Sequence, residues 1–159
     1  SVEDKPMGTG GPLNQVRTML QDDFIVLFGD IICRIDAKKL IDFHKKNKSD
    51  ATVVIHDTDH PQDSDLVEIE KDGKVKKFWL KPHTETPATS KGAAGMYMFN
   101  AKVLEHVPAD KFSIEKQLLP LLQEKSYNVY GYDTKEFLKD MGTPERMKEI
   151  EEKMKNNQI

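Results

Sequence analysis

Five apolar residues, Phe24, Ile25, Val26, Leu27 and Phe28, run unbroken into Gly29 and Asp30. A run of this kind predicts a strand buried on both faces, as in a parallel sheet. Residues 51–55 repeat the pattern after a turn at Ser49 and Asp50. Ahead of the first run, Leu13, Val16, Met19 and Leu20 recur behind Pro12 and predict a helix from Gly11 through about Leu20. Asp36 is placed to cap a second helix over 37–48, with Leu40, Ile41 and Phe43 or His44 inward. Segments 66–70 and 75–80 flank Lys71, Asp72, Gly73 and Lys74, a hairpin signature with Asp-Gly at the turn. Residues 95–99 read as a short strand, 101–106 as a helical turn and 127–132 as an alternating strand. Ser113 caps a helix over 114–124, and Pro120 inside it predicts a kink or break. Thr143 and Pro144 open a last helix running to about Asn156. Its apolar stripe of Met147, Ile150 and Met154 places it on the surface.

Strands alternating with helices predict an α/β fold: a Rossmann-like, mixed but mostly parallel sheet flanked by helices. A chain of 159 residues has the length for one domain with a real core. A formal charge of -3 with 32% charged residues leaves no basic face for nucleic acid. No apolar run nears the roughly 18 residues of a membrane helix, and the first residues carry no signal-peptide pattern. No membrane partner is therefore expected. Lone Cys33 excludes an internal disulfide and fits a reducing compartment, so a cytoplasmic location is the expectation.

Open α/β sheets hold ligands just beyond the carboxyl ends of their strands. Asp30 falls at such an end, and Gly29 lets a ligand approach the backbone closely. A carboxylate there can hold a hard cation against phosphate oxygens, or it can simply cap the following loop. His56, Asp57, Asp59 and His60 cluster in sequence but match neither the helical zinc spacing nor a calcium loop. Trp79, Phe78 and Cys33 read as packing residues.

Five elements then occur in order. They are Pro6-Met7-Gly8-Thr9-Gly10-Gly11, Leu27-Phe28-Gly29-Asp30, Phe78-Trp79-Leu80-Lys81-Pro82, Ala94-Gly95-Met96-Tyr97-Met98-Phe99 and Asp140-Met141-Gly142-Thr143-Pro144. In this set the sequence resembles the sugar-1-phosphate nucleotidylyltransferases, above all the guanylyltransferases acting on mannose 1-phosphate or heptose 1-phosphate. The resemblance implies the nucleotide-diphospho-sugar transferase type of sheet. It also implies nucleotidyl transfer from a nucleoside triphosphate, GTP favoured, to a sugar 1-phosphate, with release of pyrophosphate. Asp30 and Asp140 match the family's catalytic metal carboxylates, which hold Mg2+. Gly8, Thr9, Gly10 and Gly11 match the loop beside the nucleobase and ribose, with Gly29 next to the nucleotide. Lys81, Ala94 and Gly95 match the sugar-phosphate side. Each residue also has a plainer role open to it: Asp140 as a cap, residues 8–11 as a flexible connection, Lys81 as a solvated surface charge.

The sequence departs from the family in three places. Leu80 stands where the family usually has Glu, and Ala93 where it tends to have Asn. The opening strand with its glycine-rich phosphate loop does not precede the first helix. Residues 1–159 therefore read as the C-terminal portion of a single nucleotidyltransferase domain missing its first strands. Weak or no activity of the chain alone is expected. So is self-association, as a homo-oligomer or otherwise, through an exposed sheet edge. Two rival readings remain open: a non-catalytic nucleotide-sugar-binding or regulatory subunit, and a glycosyltransferase of related architecture. The second is disfavoured because only one Asp follows the strand at 24–28.

Overall fold

The computed structural model describes residues 4–156. In chain order the elements are α1 (Gly11–Val16), β1 (Phe24–Leu27), β2 (Ile31–Cys33), α2 (Ala37–Lys46), β3 (Ala51–Asp57), β4 (Leu66–Ile69), β5 (Val75–Trp79) and β6 (Lys91–Phe99). They continue with α3 (Leu119–Glu124), β7 (Val129–Asp133), β8 (Leu138–Asp140) and α4 (Pro144–Lys155). The main sheet runs β5-β4-β6-β3-β7, with β1 also paired to β6. A separate two-stranded ladder joins β2 to β8.

The sheet is mixed, but the expected balance is corrected. Among the described pairings only β3 with β7 is parallel. β1, β3 and β4 all run antiparallel to β6, and β4 runs antiparallel to β5. The connections explain this. The Asp72-Gly73 turn forces β4 and β5 antiparallel, whereas β7 is reached from β3 only after the helical stretch that includes α3.

The run at 24–28 is corrected too. β1 is not buried on both faces: Phe24 and Val26 pack on the core, while Ile25 and Leu27 are 38% and 46% exposed. Apolar content alone cannot separate a central strand from one with a single neighbour, and among the described residues β1 pairs only with β6. β3 does have both faces covered. Val53 and Ile55 lie in the main core cluster with Leu118, Leu119 and Leu122, and Val54 lies in a second cluster with Leu40 of α2. β6 alternates the same way, with Tyr97 and Phe99 in the first cluster and Ala94, Met96 and Met98 in the second.

Helix boundaries follow local chemistry. Asp36 accepts from Lys38 N and Lys39 N as the cap of α2. Thr143 caps α4 by accepting from Arg146 N, with Pro144 in the first turn. α1 stops at Val16, short of Leu20, and gives way to a turn over 17–19 in which Met19 is 77% exposed. The break expected at Pro120 takes a specific form. Residues Ile114–Leu118 wind as a π-helix, and α3 restarts with Pro120 in its first turn, where the missing N–H costs nothing.

His44 on α2 is 2% exposed. Its Nδ1 lies 2.8 Å from Thr52 Oγ1, its Nε2 has no hydrogen-bond partner, and Asp23 Oδ1 is 3.8 Å away. Burial pushes the imidazole below its ordinary value of 6.5, outweighing the opposing pull of Asp23 and Asp50. The folded state therefore binds fewer protons here than the unfolded state, so this contribution to stability is lost as pH falls below about 6.5. The denaturant midpoint is expected to drop between pH 7.5 and 5.5. His44→Gln should flatten that drop, and an unchanged slope would contradict the assignment.

Candidate active site

A cleft of about 730 Å³ opens where β6, the β2–β8 ladder and the loop after β3 meet. Asp30 and Asp140, far apart in sequence, both line it. The β2–β8 register brings them together. Ile31 stands opposite Asp140, and Met141 N donates to Asp30 O at 2.7 Å. Asp140 Oδ1 accepts from Gly142 N at 3.1 Å and from Arg146 Nη1. Partial burial pushes the Asp140 carboxyl up, but the Arg146 and Gly142 donors outweigh it and hold the group below the usual range. The donors in this corner are carboxylate oxygens, the hard set that suits Mg2+ rather than a thiolate- or imidazole-seeking metal. Two carboxylates are all the pair offers, so a bound Mg2+ would need further oxygen ligands from outside these two side chains.

Lys81 stands on the rim of the same cleft. Asp65 fixes it: Asp65 Oδ1 accepts from Lys81 N at 2.8 Å, and Asp65 O accepts from Ala93 N at 2.9 Å. Lys81 Nζ meanwhile donates to Asp63 O at 2.8 Å. Ala94 and Gly95 line the wall behind it. Gly95 has a φ of +66, and a Cβ there would sit 2.9 Å from Ile31 Cδ1 and 3.0 Å from Phe28 Cδ2. A side chain at residue 95 would therefore strain the left-handed backbone and crowd Ile31 and Phe28.

The glycine-rich loop divides differently from the expectation. Thr9 lines the cleft. Gly10 and Gly11 are buried, and Gly8 and Gly10 pack on Phe112. A Cβ on Gly10 would sit 2.3 Å from Phe112 Cζ, and one on Gly8 2.4 Å from Phe112 O. Gly10 N donates to Phe112 O and Phe112 N to Met7 O, each at 3.1 Å. These glycines thus hold the loop against the core and are not a slack connection. Gly29 is exposed in the turn after β1, with nothing within 4 Å of a Cβ built there.

Sequence reading missed Glu115, which joins the two sides of the cleft. Its Oε2 accepts from Thr9 Oγ1 at 2.9 Å and Ser113 Oγ at 2.8 Å, and its Oε1 accepts from Tyr97 OH at 2.8 Å. Thr9 Oγ1 in turn accepts from Ile114 N at 3.0 Å. Burial first, and Glu115 second, drive the Tyr97 phenol well above its ordinary value, so it stays a donor. Nothing local in the sequence marks Glu115 beyond the Ser113 cap two residues earlier. Arg146 was missed for the same reason. His56 and Asp65 also line the cleft. His56 falls just past the predicted strand at 51–55, a position that suits a ligand, whereas Asp65 sits directly ahead of the predicted segment at 66–70 and nothing local marks it.

The sheet, its flanking helices and the side ladder are the nucleotide-diphospho-sugar transferase fold. The structure aligns with HddC from Yersinia pseudotuberculosis at a TM-score of 0.77 and 28% identity, covering 96% of this chain and 64% of that one. A second structure of HddC, complexed with GMP-PN, aligns equally well at 0.77. A Bacillus anthracis protein assigned as a glucose-1-phosphate thymidylyltransferase shares the fold at a TM-score of 0.80 with 19% identity. The chain belongs to the nucleotidyl transferase family, whose family model matches residues 1–157. It is 34% identical over 147 residues to the mannose-1-phosphate guanylyltransferase catalytic subunit beta of Drosophila pseudoobscura pseudoobscura and to the mannose-1-phosphate guanylyltransferase of Mycobacterium tuberculosis. Those alignments cover 91% of this chain but only 39% and 40% of the relatives.

Proposed function

We propose that this chain supplies the metal carboxylates and the sugar-phosphate side of an enzyme that moves a nucleotidyl group from GTP to a sugar 1-phosphate. The observation that carries this reading is the one cleft that Asp30, Asp140, Lys81 and Gly95 all line, with Asp30 and Asp140 at adjoining backbone positions beside the β2–β8 ladder. The GMP-PN bound by HddC and the guanylyltransferase names of the relatives support guanosine.

In this mechanism a sugar-phosphate oxygen attacks the α-phosphorus in line, and the bond to the pyrophosphate leaving group breaks. Mg2+, when bound, supplies charge neutralisation at the phosphates. Asp30 and Asp140 would hold it. Lys81 would pair with the sugar phosphate as a compact ammonium, on a backbone fixed by Asp65. Thr9 would border the nucleotide at a position fixed by Glu115. The protein's share is then positioning and electrostatics.

We further propose that residues 1–159 are the C-terminal portion of one such domain and that it works in the cytoplasm. The half-exposed β1, unpaired on one edge among the described residues, and the 39–40% coverage of relatives support the first point. Lone Cys33 supports the second. The free β1 edge also supports self-association. Light scattering at high concentration should then show species larger than a monomer, and a lone monomeric peak counts against it.

The function is tested by pyrophosphate release from GTP with mannose 1-phosphate or heptose 1-phosphate. Turnover is expected from a protein in which a glycine-rich phosphate loop precedes this chain, and little from the chain alone. Ala93, on the cleft wall where the family tends to place Asn, favours a second reading as a non-catalytic nucleotide-sugar-binding subunit. GDP-mannose binding without turnover in the longer protein would select that reading.

A further inference from the structure

The placement of Arg146 carries a step beyond this function, and it rests on the metal reading above. Arg146 stands in the first turn of α4, three residues past the cap Thr143. Its guanidinium lies on Oδ1 of Asp140, and the two side chains are 37% and 41% exposed at the cleft. The carboxylate assigned to the metal is thus already paired with a cation from its own chain. A guanidinium and a divalent ion on one carboxylate repel each other, and the arginine is the partner that can leave. Its long side chain needs only rotamer changes to swing away, whereas Asp140 is anchored in the β2–β8 ladder.

The other cations of this wall are differently placed. Lys139 and Lys153 both pair with Glu149, whose carboxyl they pull down to about 2. Arrival of a metal gives neither of them reason to move. For Arg146 the metal takes its partner and a phosphate offers a better one, since a guanidinium fits two phosphate oxygens at once.

We propose that Arg146 is the resident counter-cation of Asp140, that a divalent ion displaces it, and that the freed guanidinium then pairs with phosphate oxygens of the substrate. The exchange keeps the charge balanced at each stage. The carboxylate is compensated before the ion binds, and the ion arrives together with an anion that takes up the arginine.

The test uses the full chain, Mn2+ as the probe ion followed by electron paramagnetic resonance, and the variants Arg146→Gln and Asp140→Asn. Arg146→Gln is expected to bind Mn2+ about five-fold tighter than wild type, the lower end of coupling between linked sites. Asp140→Asn should bind more weakly than either. With Mn2+ saturating, calorimetric titration of inorganic pyrophosphate should show Arg146→Gln binding about five-fold more weakly than wild type. Detectable Mn2+ binding to Arg146→Gln alone would also support the exchange. If wild type binds Mn2+ through Asp140 and Arg146→Gln is no tighter, the exchange is overturned and the metal reading stands. Unaltered pyrophosphate binding overturns the second half. If neither protein binds Mn2+, the metal reading itself fails and takes the exchange with it. Should Arg146→Gln not fold, the side-chain N–H resonance of Arg146 in wild type answers the same question. It shifts on addition of Mg2+ if the pair opens and stays fixed if it does not.

Discussion

Asp30→Asn and Asp140→Asn are each expected to lower nucleotidyl transfer by about a hundred-fold or more, the scale of losing one electrostatic stabiliser at a phosphoryl centre. The substitution keeps shape and removes charge. An amide oxygen is a far weaker partner for Mg2+ than a carboxylate. Loss of fold cannot account for such a fall. Asp30 is exposed, so its replacement disturbs no packing. Asp140 would give up its pair with Arg146, which is partly exposed and worth about 1 kcal/mol or less. A domain with about 5–15 kcal/mol of stability stays folded through that loss. The measurement is kcat/KM for pyrophosphate release in the longer protein, beside a thermal melt of each variant. Near-wild-type turnover in either variant would remove its carboxylate from the metal pair and with it the core of the proposed function.

Gly10→Ala should destabilise the chain by about 2–3 kcal/mol, in the range of overpacked cores. One methyl group would fall within 2.7 Å of three ring atoms of Phe112. That ring is 3% exposed and packs in the main core, so it cannot swing aside without opening a void. The backbone cannot retreat easily either, because Gly10 N and Met7 O are both bonded to residue 112. Whatever shift occurs moves Thr9 off Glu115, so nucleotide affinity should fall together with stability. Denaturant melts provide the check. Phe112→Leu shortens the obstructing side chain, and combined with Gly10→Ala it should cost clearly less than the two single changes added together. Strict additivity would mean that the glycine is not there to admit the ring.

Much of the local structure was legible from the chain. Capping chemistry placed α2 and α4 because Asp36 and Thr143 act within three residues of themselves. The Asp72-Gly73 turn placed the hairpin for the same reason, and Pro120 marked the restart of a helix because a missing N–H is a property of one residue. The family motifs likewise named Asp30, Lys81, Gly95 and Asp140, all of which meet in one cleft.

Other properties were beyond its reach. That β1 has one bare face, that most strands run antiparallel to β6, and that residues 8–11 are clamped by Phe112 depend on which segments become neighbours. Glu115 and Arg146 gained their roles in the same way. A carboxylate is a hub only once the Thr9 and Tyr97 hydroxyls reach it from distant segments, and an arginine is a counter-cation only once the chain folds its guanidinium onto an aspartate. Propensity, capping and turn chemistry act over a few residues and are written in the sequence. Burial, pairing and charge compensation act through space, so the folded arrangement alone decided them.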